Sequence, residues 1–556
     1  MIKFYYGLTL GPIVGTLARV STTWELWGAS YTLSLYMQKV VQKAHAQGFE
    51  VLLPYPHIPE DEDPYSGTGL YPDRMILETT RERDKDIQTI IQDALEELAQ
   101  LIAAHLGDEE SSVHTYLRQY LQTYLIRLQT DAPPNKVIFD INALLDTAEL
   151  QNRFIPKVAA SQDYLFRFFD QINTASDKDN NQILTLAFGE KEKTQRRVRS
   201  IAEIATAGLE KVFPSFQDRV ARLWWQEQIK KQRSQGEQAD EEDLYDYLLR
   251  KSRTPTPREA EPYRDLAENL RMYHRYIAVV HADGDNVGAA IKQLDAKEKV
   301  SDFSEKLLRF GLEASRMVRA FGGQLVFAGG DDLLFFAPVM YGEESIFSLC
   351  DALNDLFQNK IRVPSDTGKK PSLSFGISIS YHKFPLYEAL ETARDLLFAQ
   401  AKQFPDPINP DKNAIAFKLL KHSGQHFGQV FSREYKTYTL FKELLHRSLK
   451  DPGRFLSSVM FLLDEQKAIF DQLGQLERLP QGVTVAQEGT RFSRIQTFFD
   501  NQFDEAPHQG EGAEYLQDVQ LLISEAYEDY PDGDEARKAV YSALRTIHFL
   551  NQPHDA

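Results

Sequence analysis

Two short acidic segments are the part of this sequence best suited to chemistry. The first, HADGDN at 281–286, follows the apolar run 277–280, and the second, AGGDD, occupies 328–332. Glycines allow a sharp turn and a close ligand, whereas neighbouring carboxylates repel one another unless a cation lies between them. Mg²⁺ is commonly held by one or two carboxylates together with substrate phosphates. The pattern therefore predicts a divalent metal and a phosphate-bearing substrate.

Three carboxylates could converge on such a metal. The AGGDD segment is flanked by β-forming residues on both sides, which predicts a hairpin with Asp331 and Asp332 at its tip. Asp283 can join them if the strand before it lies beside the hairpin. Two metal ions held in this way can activate an attacking oxygen and stabilise a leaving pyrophosphate. The alternative interpretation is a polar hairpin turn without chemistry.

The elements around these segments predict an α+β fold with two related units. Residues 1–75 begin with a strand, an amphipathic helix at 25–46 and a second strand at 50–54. Residues 271–425 follow the order β-α-β-β-α-β, which is typical of a ferredoxin-like domain. The predicted elements of that second unit are strands at 276–280, 324–327, 333–337 and 372–381, and helices at 303–321 and 386–403.

The remaining segments carry helical periodicity, including a helix expected at 113–129. We therefore predict an intervening helical region between two ferredoxin-like domains, and a C-terminal helical domain. The predicted boundaries are 1–160 for the N-terminal domain with a helical insertion, 161–270 for the helical linker, 271–425 for the second ferredoxin-like domain and 426–556 for the C-terminal helices.

Composition narrows the class of protein. The chain has 556 residues with a single cysteine, Cys350, which excludes an internal disulfide and a cysteine-based zinc ribbon. We expect a cytoplasmic location and no membrane contact, because no stretch approaches the ~20 apolar residues of a spanning helix. The formal charge of −18 argues against nucleic-acid binding through the whole surface. Any RNA must meet a local basic patch, such as 191–199, or be held by partner subunits.

The motifs together resemble a known family. DGDNVG, AGGDD, LSFGIS at 373–378, AQAK at 399–402 and DKNA at 411–414 are similar to the GGDEF-like palm of the polymerase/cyclase large subunit of type III CRISPR effector complexes. The Cmr-type (III-B) branch is the most similar. LWGAS at 26–30 and GLYPDR at 69–74 look like motifs of the first palm of that subunit. The resemblance is specific in the first 75 residues and in 271–425.

The resemblance implies an activity and a set of site residues. In this family the second palm converts ATP into adenylate second messengers for antiviral defence when the complex binds target RNA. Asp283, Asp331 and Asp332 would be catalytic ligands of Mg²⁺ or Mn²⁺. The implied nucleotide-binding residues are Asp285, Asn286, Gly329, Gly330, Ser374, Lys402 and Lys412. For the two lysines a solvated surface position is the alternative.

The resemblance also implies partners, and the sequence departs from it in two ways. We expect other Cmr-type subunits, with guide and target RNA bound largely through the complex. An HD nuclease domain and the zinc ribbon of many relatives are not expected. The product stays open between cyclic oligoadenylate and an AMP conjugate of S-adenosylmethionine. A non-catalytic scaffold subunit and a free-standing GGDEF-type dinucleotide cyclase are the alternatives.

Two further residues have competing interpretations. His281 is interpreted as a histidine at a strand end, satisfied by its neighbours, rather than as a catalytic group. Trp27 is expected in the core or between the palms rather than at a ligand.

Overall fold

The computed structural model describes residues 2–151, 158–173, 182–189, 198–235, 243–253, 257–362, 371–404, 412–447, 452–475, 491–502 and 511–552. Within these ranges the strands are β1 Lys3–Gly11, β2 Glu50–Leu53, β3 Arg74–Thr79, β4 Gln122–Thr130, β5 Tyr276–Asp285, β6 Gln324–Gly329, β7 Asp332–Pro338, β8 Met340–Tyr341, β9 Glu344–Ser345, β10 Ser372–Tyr381, β11 Ala414–Leu420 and β12 His426–Ser432.

The helices of the first half are α1 Ile13–Leu17, α2 Thr23–Ala46, α3 Asp84–Leu106, α4 Glu110–Tyr120, α5 Pro134–Glu149, α6 Tyr164–Gln171, α7 Gln182–Phe188, α8 Ile201–Ala205, α9 Arg222–Gln235, α10 Leu244–Ser252 and α11 Pro257–Glu268. Those of the second half are α12 Val287–Ile291, α13 Lys297–Ala320, α14 Ile346–Lys360, α15 Leu386–Asp395, α16 Lys436–His446, α17 Pro452–Glu465, α18 Lys467–Gln475, α19 Arg491–Gln502, α20 Glu511–Asp529 and α21 Gly533–Leu550.

The N-terminal sheet has the ferredoxin-like strand order β2-β3-β1-β4 with antiparallel neighbours. Helix α2 follows β1 and the short α1, and it begins two residues before the predicted amphipathic pattern because Thr22 and Glu25 form a reciprocal capping box. The predicted helix at 113–129 is wrong in its second half. Helix α4 ends at Tyr120, and β4 then pairs along the whole of β1. Tertiary pairing overrides the helical periodicity of this half-exposed edge strand.

The second sheet repeats this order. Its strands run β12-β11-β10-β5-β7-β6, so the four that belong to the β-α-β-β-α-β unit are ordered β10-β5-β7-β6. The predicted fold class, α+β with two ferredoxin-like domains and helical regions, is confirmed. Strands β11 and β12 extend the sheet beyond β10, and the predicted boundary at residue 425 falls between them.

The first ferredoxin-like domain docks on β6, the outermost strand of the second sheet. Gly69 forms a parallel bridge with Phe327, and the amide of Ala328 donates a 2.9 Å hydrogen bond to the carbonyl of Gly69. Ser30 Oγ of α2 donates to the carbonyl of Val326 at 3.0 Å. The docking site therefore lies directly before the AGGDD turn.

The C-terminal helices cover the opposite edge of the second sheet. Tyr530 donates its hydroxyl to the carbonyl of Val430 at 2.9 Å, and Ser542 Oγ donates to the carbonyl of Gly428 at 3.0 Å. One continuous apolar core joins both sheets and these helices. No helix among the described residues combines the length and apolar character needed to cross a bilayer.

Trp27 anchors the docking segment from inside the first domain. Its side chain is fully buried, stacks on Tyr31 at 4.9 Å and on Phe188 at 5.6 Å, and donates Nε1 to the carbonyl of Gly67 at 2.9 Å. The core position expected for Trp27 is confirmed. Its indole connects α2 to the segment that carries Gly69.

Trp27→Ala is expected to destabilise the N-terminal domain by about 3–5 kcal/mol, because a large buried ring leaves a cavity. The measurement is the urea midpoint of the first unfolding transition of the full chain. Trp27→Phe, which keeps an aromatic ring but leaves the Gly67 carbonyl without its donor, should cost less. An alanine variant that unfolds at the wild-type urea concentration would contradict this role.

Candidate active site

The AGGDD segment forms the predicted hairpin turn. Gly329 at the end of β6 pairs with Asp332 at the start of β7, which leaves Gly330 and Asp331 as the two turn residues. Gly330 has a φ of +73°, as the first position of a type II′ turn requires. The turn therefore presents Asp331 at its tip and Asp332 on the following strand.

Strand register brings Asp283 to this hairpin. Strand β5 is longer than predicted and runs through Asp285, and its last pair with β7 is Ala282 with Leu333. One residue further along, Asp283 faces Asp332 across the two strands. Cross-strand neighbours have side chains on the same face. The sheet thus places Asp283 and Asp332 side by side.

Gly284 lets the tip of the hairpin approach β5. A β-carbon at this position would lie 2.4 Å from Asp331 Oδ2 and 2.8 Å from Asp331 Cβ. Such distances are far inside van der Waals contact, so only glycine fits here without moving Asp331. All three predicted catalytic carboxylates are consequently neighbours at one end of the sheet.

Lys402 supplies a cation to this end of the sheet. The helix predicted over 386–403 is interrupted: α15 ends at Asp395, a π-helical turn spans Leu396–Gln400, and a 3₁₀ turn spans Ala401–Gln403. The Nζ of Lys402 lies 2.6 Å from Asp283 Oδ2 and 3.0 Å from Asp285 Oδ1, and it donates to the Gly284 carbonyl at 2.6 Å. Lys402 is therefore bound to the acidic strand and is not a solvated surface lysine.

Asp285 is held inside the protein. Its side chain is almost fully buried, and its Oδ2 accepts hydrogen bonds from Ser374 Oγ at 2.7 Å, Ser372 Oγ at 3.1 Å and the amide of Asn413 at 3.1 Å. Ser374 is itself fully buried. The structure thus places Asp285 and Ser374 behind the other carboxylates, where they hold Lys402 and the strand ends in position.

The other predicted nucleotide-binding residues lie in the adjoining turns. Asn286 has a φ of +62° and precedes α12, and Lys412 has a φ of +72° and is half-buried. Lys412 directly precedes Asn413, whose amide binds Asp285. Asp411 of the DKNA motif and residues 190–197 of the basic segment lie outside the described residues.

Comparison with known proteins identifies the second ferredoxin-like domain. Residues 276–416 match the family described as Cas10/Cmr2, second palm domain. This segment is similar to the second palm of Cas10/Cmr2 proteins. The resemblance stated from the motifs is confirmed, and the matched residues contain the AGGDD turn, strand β5 and Lys402.

Relatives and solved structures agree with this assignment. The chain is 34% identical over 165 residues to the CRISPR system Cmr subunit Cmr2 of Pyrococcus furiosus, a match that spans 29% of this chain and only 18% of that relative. Two structures of a type III-B Cmr-beta complex match 98% of this chain. One is in the apo state, with a TM-score of 0.56, 11% identity and 82% of that chain covered. The other is bound to cognate target RNA, with a TM-score of 0.57, 10% identity and 83% covered. At these identities the likeness establishes a shared fold.

At this end of the second sheet, buried carboxylates outnumber the ammonium group of Lys402 that lies among them. Burial raises the pKa of Asp331 to about 7, and Asp283 and Asp332 add to this rise. Burial also raises the pKa of Asp283, although Lys402 opposes the effect. For Lys402, burial acts to lower the pKa, but Asp285 and Asp283 outweigh it and raise the pKa above its ordinary value. One ammonium group therefore lies within 3.0 Å of both Asp283 and Asp285, whereas its effect on Asp331 only partly opposes the rise in pKa there.

The excess of negative charge around Asp331 indicates whether the predicted metal ion fits this site. Carboxylate oxygens are the donors that Mg²⁺ and Mn²⁺ prefer, and a half-buried acid with a pKa near 7 gains most from an added cation. The donor set fits such an ion. Within the described ranges, however, no three His, Cys, Asp or Glu side chains are gathered in a metal-holding arrangement. Asp283 is turned to Lys402 instead.

Two residues outside the predicted site belong to its surroundings. His281 Nε2 lies 2.9 Å from Asp332 Oδ1, and because a carboxylate only accepts hydrogen bonds, the histidine donates. Asp73 comes from the GLYPDR motif of the first domain. Burial raises its pKa, Arg74 opposes the rise, and Glu149 and Asp332 add to it. The motif itself was the available sequence signal for Asp73, but its proximity to Asp332 depends on the docking of the two domains.

Gly284→Ala is expected to displace Asp331 and to remove at least most of the stabilisation that Mn²⁺ gives the protein, without unfolding it. The measurement is the melting temperature with and without Mn²⁺. Gly288→Ala is the matched control, because a β-carbon there meets nothing within 4 Å. Equal Mn²⁺ responses of the two variants would contradict the close packing of Gly284 on Asp331.

Asp331→Asn is expected to raise the melting temperature of the metal-free chain by several degrees at pH 8 and by less at pH 5. A carboxyl whose pKa rises from an ordinary 3.8 to about 7 on folding costs stability as the pH increases through that interval. The asparagine side chain does not ionise, so the variant does not lose stability over this pH interval. Thermal unfolding in a chelator at both pH values is the measurement. Asp395→Asn, an exposed acid of α15, is the control, and an equal shift of the Asp331 variant at both pH values would refute the linkage.

Proposed function

We propose that this chain is the nucleotidyltransferase large subunit of a type III-B CRISPR effector complex. In this proposal its second palm converts ATP into an adenylate second messenger. The observation that carries it is the meeting of Asp283, Asp331 and Asp332 at one end of a sheet that matches the Cas10/Cmr2 palm. A polar turn without chemistry would gain nothing from three mutually repelling carboxylates, because their proximity costs stability.

Asp283, Asp331 and Asp332 would hold Mg²⁺ or Mn²⁺. When bound, the ion polarises the transferred phosphoryl group and neutralises the charge of the leaving pyrophosphate. The side chains of the protein prepare this site. Lys402 lies between the carboxylates of Asp283 and Asp285. Its ammonium group would also attract an incoming phosphate. Lys412 directly precedes Asn413, whose amide binds Asp285, and would be a second cation for the phosphates.

The proposal also covers the reaction product and the partner subunits. Cyclic oligoadenylate and an AMP conjugate of S-adenosylmethionine are both compatible with these residues, since each forms by attack on the α-phosphate of ATP. We propose Cmr-type subunits as partners, with guide and target RNA held mainly by them in the cytoplasm. The formal charge of −18 supports this division, because phosphate binding needs clustered cations.

The decisive experiment is a product assay on the assembled complex. Changing Asp331 and Asp332 together to Ala is expected to lower product formation from ATP and Mg²⁺ about 100-fold or more, because the charges that stabilise the transition state are removed. Products are measured by mass spectrometry with target RNA bound, with and without S-adenosylmethionine. Asp302→Ala, on the exposed side of α13, is the control.

Three other outcomes would count against the proposal. Loss of complex assembly in the double variant, with no product from the wild type, would favour a scaffold subunit. RNA-independent conversion of GTP by the free chain would favour a dinucleotide cyclase of the GGDEF class. Product formation that survives the double substitution would place the active site elsewhere.

A further inference from the structure

An exposed aromatic ring lies beside the acidic end of the second sheet. Phe398 is 43% exposed, although phenylalanine is usually buried. It belongs to the π-helical turn Leu396–Gln400 that interrupts the helical segment between α15 and Lys402. Such turns are uncommon and frequently occur at functional sites. This location distinguishes Phe398 from apolar residues scattered over the surface.

Phe398 is separated from the acidic hairpin by a single side chain. Its ring centroid lies 5.5 Å from that of His281, with the two planes nearly perpendicular at 85°. The same imidazole also forms the 2.9 Å hydrogen bond from its Nε2 to Asp332 Oδ1. His281 thus fixes the position of the phenyl ring relative to the carboxylate.

The same short segment carries the cation of the site. Lys402 follows Phe398 by four residues and reaches Asp283 and Asp285 with its ammonium group. The segment therefore offers a charged group for phosphates and an open aromatic surface for an apolar ring. A nucleoside triphosphate contains both kinds of group, joined by one sugar.

We infer that Phe398, supported by His281, is the surface on which the base of the substrate nucleotide stacks while its phosphates occupy the acidic end of the sheet. This inference rests on the proposed function and assigns one further residue to it. Stacking on an aromatic side chain tolerates every base, because each base has a π-face. Phe398 therefore supplies affinity, and the choice of adenine over guanine is left to other groups.

The test separates the base from the phosphates. Equilibrium binding to the full chain is measured in Mn²⁺ with two probes, the β,γ-imido analogue of ATP and inorganic tripolyphosphate, which has the phosphates without a base. Phe398→Ala is expected to weaken binding of the ATP analogue about fivefold to a hundredfold. Tripolyphosphate binding should be unchanged. The β,γ-imido analogue of GTP should lose the same factor as that of ATP.

Further variants isolate the aromatic character of the residue. Phe398→Trp should restore binding of the ATP analogue, whereas Phe398→Leu, which keeps an apolar side chain without a π-face, should not. Phe461→Ala on α17 is the matched control, because Phe461 is an exposed phenylalanine outside the site. Melting temperatures of all variants should stay within a few degrees of the wild type, since Phe398 is 43% exposed and is not part of the buried core.

The outcomes distinguish this inference from the proposed function. If the wild type binds the ATP analogue and Phe398→Ala binds it equally well, the stacking surface is refuted and the proposed function stands. If Phe398→Ala weakens both probes alike, the residue acts on the shape of the phosphate site, which also refutes stacking. If the wild type binds neither probe, the proposed function fails and this inference fails with it. Loss of complex assembly with unchanged ATP-analogue binding would make Phe398 a subunit contact instead.

Discussion

The ion pairs of Lys402 with Asp283 and Asp285 are the interaction on which the acidic end of the second sheet depends. Transfer of an isolated carboxylate into a protein interior costs several kcal/mol, and Asp285 is almost fully buried. The ammonium group and the three hydrogen bonds from Ser372, Ser374 and Asn413 offset this cost. Strands β5, β10 and β11 and the segment after α15 are thereby joined at a single side chain.

The same arrangement leaves Asp331 with a raised pKa. Its pKa near 7 reflects burial beside Asp283 and Asp332, and Lys402 binds the neighbouring acids instead. A strained or charged group of this kind is retained where function uses it, at some expense of stability. In the proposed function, binding of a cation and of the substrate phosphates at this site offsets that loss of stability. The candidate site and the stability of the second ferredoxin-like domain are therefore linked through the carboxyl group of Asp331.

The first domain contributes to the site through its docking geometry. Both domains share the ferredoxin-like strand order, and the segment 67–69 contacts α2 on one side and the edge strand β6 on the other. The bridge between Gly69 and Phe327 lies immediately before the AGGDD segment, so the two domains are in contact next to the hairpin. Asp73 adds a further acid near Asp332.

The sequence alone determined the hairpin, its neighbouring strand and the α+β class. Glycine pairs, flanking β-formers and apolar periodicity are local signals, so the turn at 330–331 and most of the predicted strands were found in place. The helix expected beyond Tyr120 was wrong because β4 gains its hydrogen bonds from β1, a strand more than a hundred residues away in sequence. Only the tertiary structure decided that Lys402 pairs with Asp283, that Asp285 is internal, and that Asp73 and Phe398 lie near Asp332. These contacts depend on an interrupted helix and on the docking of two domains, and neither leaves a periodic pattern in the sequence.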